Sequence, residues 1–466
     1  MDKTAADLCS LEGMATLVTT ATRTNVYVCR NGAVGFPKSG RMAVEPGSKA
    51  ATTLARQVWR SIAPVRLRRA AQPLAMWARL RQVEALLASG EPSPKPGPVI
   101  VSGFATGFKG ISEGMRLTLA GLRCAGFEPV VHDLRPHFGK RSKAWPPLPA
   151  SMVGGVWLLH VNPPEMVYTL SETPKASWAG RYRIGYWAYE LERIPPAWVR
   201  AANFLHEIWV PSRFVAQSLI RSGVAAPVRV MPHPVSLGGD NPCQEMAPAQ
   251  LPGAPFVVLT LGDFASSAAR KNLAGAIDAY VRAFESTDVA RLIVKIRQPN
   301  VHASALAELL QAARQRPDIS FVSNDLSASE TRRLIASSHV LLSLHRAEGF
   351  GLALAEAFLV DVPALATGWS GNLEFMDQIP ELLVNYSMVS VKDPAGIYKS
   401  RDLCWAEPDV EAAAGKLRDL AAAPELRRKL ASHGRKAVEA LAGAWQRESL
   451  MATPLGAYAE QRKSQN

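Results

Sequence analysis

From Phe256 to Ala366 the chain alternates short apolar runs with helix-period segments, and this beat constrains the fold more than any other feature of the sequence. Phe256–Leu261, Arg291–Ile296, Ile319–Val322, Val340–Leu344 and Pro363–Ala366 read as strands. Asn272–Phe284, Ala303–Arg314, Ala328–Ser337 and Leu352–Leu359 read as the helices between and after them. Strands that each need a helical crossover make a parallel sheet with helices on both faces. The same beat runs earlier. Val99–Ser102 is a buried-strand pattern, Gly103–Gly114 is glycine-rich, and a helical stretch follows through Leu122. Glu128–Asp133, Gly155–Val161, Arg183–Tyr189, His206–Val210 and Val228–Met231 add strand patterns, with a helix start at Pro211-Ser212. Pro232–Pro255 carries six prolines and little periodicity, so it separates the two series. The expectation is an α/β chain of two doubly wound domains, 98–235 and 256–441. A last helical region covers Val410–Leu441, and 442–466 is a C-terminal helix and tail. In such sheets ligands bind at the carboxyl ends of strands, here facing a cleft between the domains.

The 466 residues are 48% hydrophobic and 20% charged, a globular composition that excludes a mostly disordered or fibrous chain. No uncharged apolar run approaches the ~18–20 residues of a membrane span. Met1–Ser10 lacks the basic-then-apolar order of a secretory signal. The cysteines at 9, 29, 124, 243 and 404 form no CxxC pair, which suits a reducing, cytoplasmic setting without a zinc site. Of the net charge of +13, residues 1–97 carry +8, from 14 Lys and Arg against 6 Asp and Glu. Arg56, Arg60, Arg66, Arg68, Arg69, Arg79 and Arg81 lie in 51–87 with Trp59 and Trp77, opposed only by Glu84. This predicts one or two basic amphipathic helices, broken near Pro64 and Pro73. Two readings of residues 1–97 stay open: a solvated basic extension, or contact with an anionic membrane surface through 51–87, on the inner face of the cell membrane. Nothing aromatic-rich or zinc-like supports nucleic acid. Glu91–Pro98, EPSPKPGP, reads as a stiff linker ending the extension.

The stretch that carries chemistry is Ser343–Met376, SLHRAEGFGLALAEAFLVDVPALATGWSGNLEFM. A strand ends at Leu344. A loop holds His345, Arg346, Glu348, Gly349, Phe350 and Gly351, and a helix begins near Leu352. The free N–H groups and positive end of that helix point back into the loop, a setting that suits a diphosphate. Gly349 and Gly351 permit close backbone approach. Glu356 lies in the first turns and can accept hydrogen bonds from a diol, so Glu348 and Glu356 can grip different parts of one ligand. Dipole complementation by Glu356 and a solvated Glu348 are the plainer alternatives, which Pro363 and the run Thr367-Gly368, Ser370-Gly371-Asn372 and Glu374 oppose.

The block resembles the nucleotide-sugar site of retaining glycosyltransferases of the GT-B fold, family 4 type, with its E-G-F-G-L-x-x-x-E-A, proline strand and S-G-x-x-E. Gly262–Asn272 (GDFASSAARKN) is similar to their donor-phosphate loop, and Val294-Lys295 and Leu403–Asp409 also resemble the group. Gly185–Glu192 (GYWAYELE), Ile208–Phe214 (IWVPSRF) and Val230–Pro234 (VMPHP) resemble a bacterial subset that builds surface polysaccharides. The resemblance covers roughly Val99–Leu441; residues 1–97 match nothing in it.

By that resemblance, the chain is expected to move a hexosyl unit from GDP-mannose or a UDP-hexose to a glycan or lipid-linked glycan, with retention and without a metal. The nucleotide sugar is a co-substrate, and no cofactor is implied. Glu348 would contact the transferred sugar and Glu356 the ribose. The N–H groups of Phe350, Gly351 and Leu352 would meet sugar and phosphates. Lys271, with Arg270 beside it and Lys295 further on, would face the diphosphate. Fixed cations and helix N–H groups can offset the charge that develops on the leaving group. The pattern departs at Ser266, where many relatives carry arginine, and at Ser112, which replaces a glycine in Gly110–Arg116 (GISEGMR). Gly110 and Ser112 are therefore candidates for the acceptor side of the cleft, and Glu113 and Arg116 persist. His160 ends a first-domain strand, where it either touches donor or acceptor or is a satisfied structural histidine. Glu190 either binds acceptor, orients Arg193 or makes a structural ion pair. His233, between two prolines, reads as structural. The alternative function is a catalytically weak scaffold of the same fold that binds membrane or partner enzymes through residues 1–97.

Overall fold

The computed structural model describes residues 65–107, 110–138, 148, 154–236, 255–285, 289–313, 316–398 and 402–459, with side chains from residue 72 onward. Expectations for residues 1–64, including Arg56, Trp59, Arg60 and the break at Pro64, lie outside the described residues. The chain divides into two compact units, 1–82 and 83–466. The described part of the first belongs to helix α1 (Val65–Ala88), which runs through Pro73. The expected break at Pro73 is absent: Arg, Leu, Ala and Met on both sides are strong helix formers and offset the lost N–H. Among the described residues no helix is long and apolar enough to cross a membrane.

The second unit contains two six-stranded parallel sheets. The first is built from β1 (Val99–Gly103), β2 (Val130–Asp133), β3 (Val156–His160), β4 (Tyr182–Tyr186), β5 (Glu207–Val210) and β6 (Val228–Val230), in the order β2-β1-β3-β4-β5-β6. Helix α2 (Gly110–Cys124) follows β1, and α3 (Arg213–Arg221) follows β5 with Ser212 as its N-cap. The second sheet has β7 (Phe256–Asp263), β8 (Ala290–Arg297), β9 (Ile319–Val322), β10 (Val340–Ser343), β11 (Ala364–Thr367) and β12 (Leu383–Val384), in the order β12-β11-β10-β7-β8-β9. β1, β3, β5 and β11 are buried at every residue, as expected of apolar strands covered on both faces.

Strand order reverses between β1 and β3 in one sheet and between β7 and β10 in the other. Such switch points open crevices at the carboxyl ends of the strands. The first lies beside Gly103 and His160. The second lies between the β7 loop, which leads into the short helix α4 (Ala268–Lys271) and then α5 (Leu273–Ala283), and the β10 loop, which leads into α6 (Leu352–Leu359). A hairpin of β13 (Tyr386–Ser390) and β14 (Cys404–Pro408), not anticipated from sequence, is antiparallel. The expected single helical region Val410–Leu441 is two helices, α7 (Val410–Ala422) and α8 (Pro424–Ala440), because Pro424 starts a new first turn.

Two segments differ from the sequence reading. EPSPKPGP is not a free spacer. Gly155 N donates to Lys95 O (2.7 Å), Lys95 N to Gly180 O (3.2 Å), and Arg183 pairs with Glu91 at 2.8 Å. The residues after 441 return to the first sheet: Trp445 packs edge-on against Trp209 at 5.9 Å, and Tyr458 stacks on Tyr182 at 4.9 Å. Trp445, Leu450 and Leu455 thereby join the core that also holds Val101, Leu158 and Trp209.

Candidate active site

The β7 loop is shaped by a serine and an asparagine. Ser267, with φ 76°, caps α4 by accepting from Arg270 N. Asn272, also left-handed at φ 49°, caps α5 by accepting from Gly275 N. Between these caps, Arg270 and Lys271 project toward the β10 loop. Lys271 Nζ lies 2.5 Å from Glu348 Oε1, and Arg270 Nη1 lies 3.1 Å from Glu348 Oε2. Burial alone would raise the Glu348 pKa, but Lys271 first and Arg270 next hold the carboxylate well below the usual range. The loop itself is pinned: Glu348 N donates to Ser370 Oγ (2.8 Å), and Gly371 N donates to Glu348 O (2.9 Å). A Cβ on Gly371 would fall 2.2 Å from Gly349 O, so the S-G of the S-G-x-x-E run is a close backbone approach.

Arg270 and Lys271 are not equivalent. The Arg270 side chain is 3% exposed, and its guanidinium also donates to Ala347 O (2.7 Å) and Ser266 O (3.3 Å). Lys271 keeps 22% of its side chain exposed. Of the two cations beside Glu348, Lys271 is the accessible one, and Arg270 is a caged support. Lys295 is buried too, donating to Asn324 O (2.7 Å) and Ile296 O (3.2 Å), and burial lowers its pKa.

Helix α6 starts at Leu352 as its sequence predicts. Gly351 is its N-cap at φ 92° and no side chain satisfies the first turn. Its free amides and positive end therefore face the loop beside Glu348 and Phe350. Across from it stands the start of α2: a Cβ on Gly110 would meet only Leu352 Cδ1, at 4.0 Å. Two helix N-termini, one from each sheet, thus confront each other over the crevice. Ser112 does not open toward it. It is 1% exposed and its Oγ fills the space that a Cβ on Gly107 would need. Arg116 holds the same loop, donating to Ala105 O (2.9 Å) and Gly107 O (2.8 Å) while paired with Glu113.

Glu356 sits on α6 with Arg332 Nη1 3.7 Å away. Burial, and then the negative charge of Glu113 from the other sheet, push its pKa up to about 7. His160 is 1% exposed, stacked on Tyr186 at 4.3 Å, and neither ring nitrogen has a hydrogen-bond partner. Burial pushes its pKa down to about 3, so the ring is neutral with a free donor and a free acceptor. It is not a satisfied histidine. His233 continues this column: Tyr186 Oη is 3.1 Å from His233 Nδ1, and the His233 ring stands edge-on to Phe350 at 5.1 Å.

Glu190 does not orient Arg193. Its carboxylate accepts from Tyr398 Oη (2.7 Å) and stands 3.7 Å from Arg270 Nη2. Tyr398 and Asp393 escaped the sequence reading, which took Ser212 as a helix start and not as a contact between the sheets. Ser212 Oγ donates to Gly349 O at 2.7 Å, a link between sheets for which IWVPSRF, already singled out, was the available signal. Tyr398 lies in VKDPAGIYKS, which carries no motif. Among the described residues no group of three or more His, Cys, Asp or Glu is assembled as a metal site.

The arrangement offers an accessible cation, an uncapped helix start, and carboxylates at either side, all at switch points of two facing Rossmann-like sheets. Solved structures share this fold. A glycosyltransferase from Rickettsia africae matches with 14% identity and TM-score 0.52, over 78% of this chain and 97% of that one. Anabaena Alr3699/HepE, solved with UDP and glucose, matches with 14% identity and TM-score 0.50, over 78% of this chain and 100% of that one. Against Staphylococcus aureus TarM the likeness is 11% identity and TM-score 0.46 over 65% of this chain, and the chain spans 55% of TarM's length. No curated protein matches the chain. The family described as family 4 glycosyltransferase in conflict systems matches residues 214–447, half of the sequence and all of the second sheet. The chain therefore belongs to the family 4 glycosyltransferases of conflict systems, with a GT-B fold.

Proposed function

We propose that this glycosyltransferase moves a hexosyl unit from a nucleotide diphosphate sugar to a hydroxyl of a glycan or lipid-linked glycan, with retention, in surface polysaccharide assembly on the cytoplasmic side. The observation that carries the proposal is the accessible Lys271 beside Glu348 at the uncapped start of α6. A diphosphate between Lys271 and the α6 amides would have its developing charge offset without a metal. The sugar C1–O bond to phosphate breaks, and the acceptor oxygen bonds C1 on the same face. The acceptor proton passes to the departing phosphate oxygen. Glu348 would hold sugar hydroxyls and Glu356 the ribose diol. The free nitrogens of His160 would meet a hydroxyl of donor or acceptor. Anabaena Alr3699/HepE, solved with UDP and glucose, supports a uridine diphosphate sugar as the first donor to test.

A thermal-shift panel of UDP-glucose, UDP-galactose, UDP-N-acetylglucosamine and GDP-mannose tests this, since a ligand of the native state raises Tm by mass action. At least one of the four should stabilise the chain, and none doing so would overturn the proposal. The shift should grow as pH rises from 6 to 8, because Glu356 is a better hydrogen-bond acceptor once ionised and titrates near 7. Glu356→Gln should remove that pH dependence and weaken binding about tenfold or more. Without ligand the sign reverses. A carboxyl whose folded pKa lies above its unfolded value costs stability as pH rises between the two, so Glu356→Gln should melt higher than the parent at pH 8 and alike at pH 4.

We also propose that the basic segment 51–87 rests on an anionic membrane surface. Leu74 and Trp77 of α1 are 73% and 52% exposed and Arg81 lies 5.3 Å over the Trp77 ring, so apolar and basic side chains are exposed side by side here rather than on the separate faces expected of an amphipathic helix. Full-length protein should co-sediment with phosphatidylglycerol vesicles and a chain lacking residues 1–82 should not. Equal pelleting would count against it.

A further inference from the structure

We infer that Tyr398 and Glu190 are positioning residues that tie the two sheets together and set Arg270, and through it Glu348, in place only when the cleft is closed. The inference rests on the reading of Glu348 and Lys271 as donor site. Glu190 comes from the loop after β4 of the first sheet. Arg270, Glu348 and Tyr398 come from the second. The two oxygens of Glu190 divide their work: Oε2 accepts from Tyr398 Oη at 2.7 Å and Oε1 faces Arg270 Nη2 at 3.7 Å. Arg270 is thus bracketed by one carboxylate from each half of the cleft, Glu190 on one side and Glu348 at 3.1 Å on the other. A buried guanidinium between two carboxylates has its direction fixed by both. Removing Glu190, by mutation or by opening the cleft, leaves Glu348 as the only carboxylate on Arg270 beside the Ala347 and Ser266 carbonyls, so the pull between Arg270 and Glu348 becomes one-sided.

Tyr398 is held for this task by its own loop. Asp393 Oδ2 accepts from Ile397 N (2.8 Å) and Tyr398 N (3.0 Å), while Asp393 Oδ1 accepts from Ser267 Oγ (2.9 Å). Ser267 is the residue that caps α4, the helix carrying Arg270 and Lys271, and it holds a left-handed φ of 76° to do so. A side chain in that backbone region is strained, and strain of this kind persists only where surrounding contacts over-determine it. Here the Asp393 contact and the cap on Arg270 N both do. The same ring closes through apolar packing: Leu191 of the first sheet's loop is buried with Ala347, Val391, Tyr398 and Trp405. The ordering of the 393–398 loop, the direction of Arg270 and the contact between sheets are therefore one connected unit.

The test uses the full chain with Tyr398→Phe, Glu190→Gln and the double variant, assayed for hydrolysis of UDP-glucose and GDP-mannose to free sugar and nucleoside diphosphate. Each single change should lower kcat about tenfold and leave KM within about twofold, because donor contacts to Lys271 and α6 persist while Glu348 is misdirected. The double variant should be no worse than the poorer single one, as expected of two groups acting through one contact. Additive losses, or a rise in KM with kcat unchanged, would overturn the inference. Amide hydrogen exchange provides the independent readout: both variants should speed exchange in 186–192 and 393–398 about tenfold, with 410–440 unchanged. Parental exchange in those segments overturns the tie. Should the unaltered chain hydrolyse neither nucleotide sugar, the binding panel decides the donor reading by itself, and exchange still decides whether Tyr398 and Glu190 hold the sheets together.

Discussion

Lys271→Ala should reduce kcat about 100- to 1,000-fold and weaken nucleotide diphosphate binding by a smaller factor. The difference follows from when the charge matters. A diphosphate bound to a sugar carries less charge near the scissile oxygen than the diphosphate that leaves. A cation fixed at that oxygen therefore stabilises the transition state more than the bound donor. Removing one such preorganised group costs about 2.7–4 kcal/mol in comparable sites. Lys271 fits this role because its side chain keeps partial access while pointing at Glu348 Oε1, whereas the neighbouring Arg270 is enclosed by Glu190, Glu348 and two carbonyls. Lys271→Arg should recover part of the loss, since charge is kept but the reach differs. Arg270→Lys should damage folding as well as turnover. Steady-state kinetics with the donor identified by the binding panel measures all three. A Lys271→Ala enzyme with parental kcat would show that the diphosphate lies elsewhere.

That contrast between adjacent cations marks where the sequence stops being informative. The alternation of β7 through α6 was legible because parallel strands are apolar on both faces and their crossover helices keep a helical period; α6 begins and ends at the residues its pattern predicts. The turn before α6 was legible because Gly351 needs a left-handed φ and Gly371 leaves no room for a side chain against Gly349. What failed had weaker local physics. β12 is two residues long, and β13 is mostly exposed, so neither carries a burial period. The lacing of Gly97 and Lys95 onto the first sheet depends on backbone hydrogen bonds to Tyr458, Gly180 and Gly155 that no composition reveals. Within the site, Arg270 and Lys271 are indistinguishable by type. The turn that sends one inward and leaves the other at the surface is set by Ser267 and Asn272, two non-glycine residues in left-handed conformations. Glu190 was visible as a carboxylate near the cleft, but its partner Tyr398 is 208 residues away in sequence.

Glu348→Gln should be nearly as damaging to turnover as loss of Lys271, and it should also destabilise the fold in a way that depends on pH. The amide keeps the shape and one acceptor oxygen, so donor affinity should fall only a fewfold. What it loses is the negative charge that Arg270 and Lys271 share. Arg270 is 3% exposed and would keep only Glu190, at 3.7 Å, as a charged partner. Breaking a buried pair from one side costs about 3–5 kcal/mol because the remaining charge stays uncompensated; Glu190 makes the lower end the better expectation here. The sign with pH follows from the depressed pKa of Glu348. Its contribution is fully present above the unfolded carboxylate value, about 4.3, and is lost as pH falls through that range toward the folded value. The Tm gap between parent and Glu348→Gln should therefore be constant from pH 8 to 6 and narrow below pH 4. Activity should behave differently, with its acid limb set by Glu356 near 7 rather than by Glu348. Thermal melts and kcat/KM profiles across pH 3.5–8 separate the two carboxylates. A Tm gap that widens on acidification would mean that Glu348 is not ionised against Arg270 and Lys271.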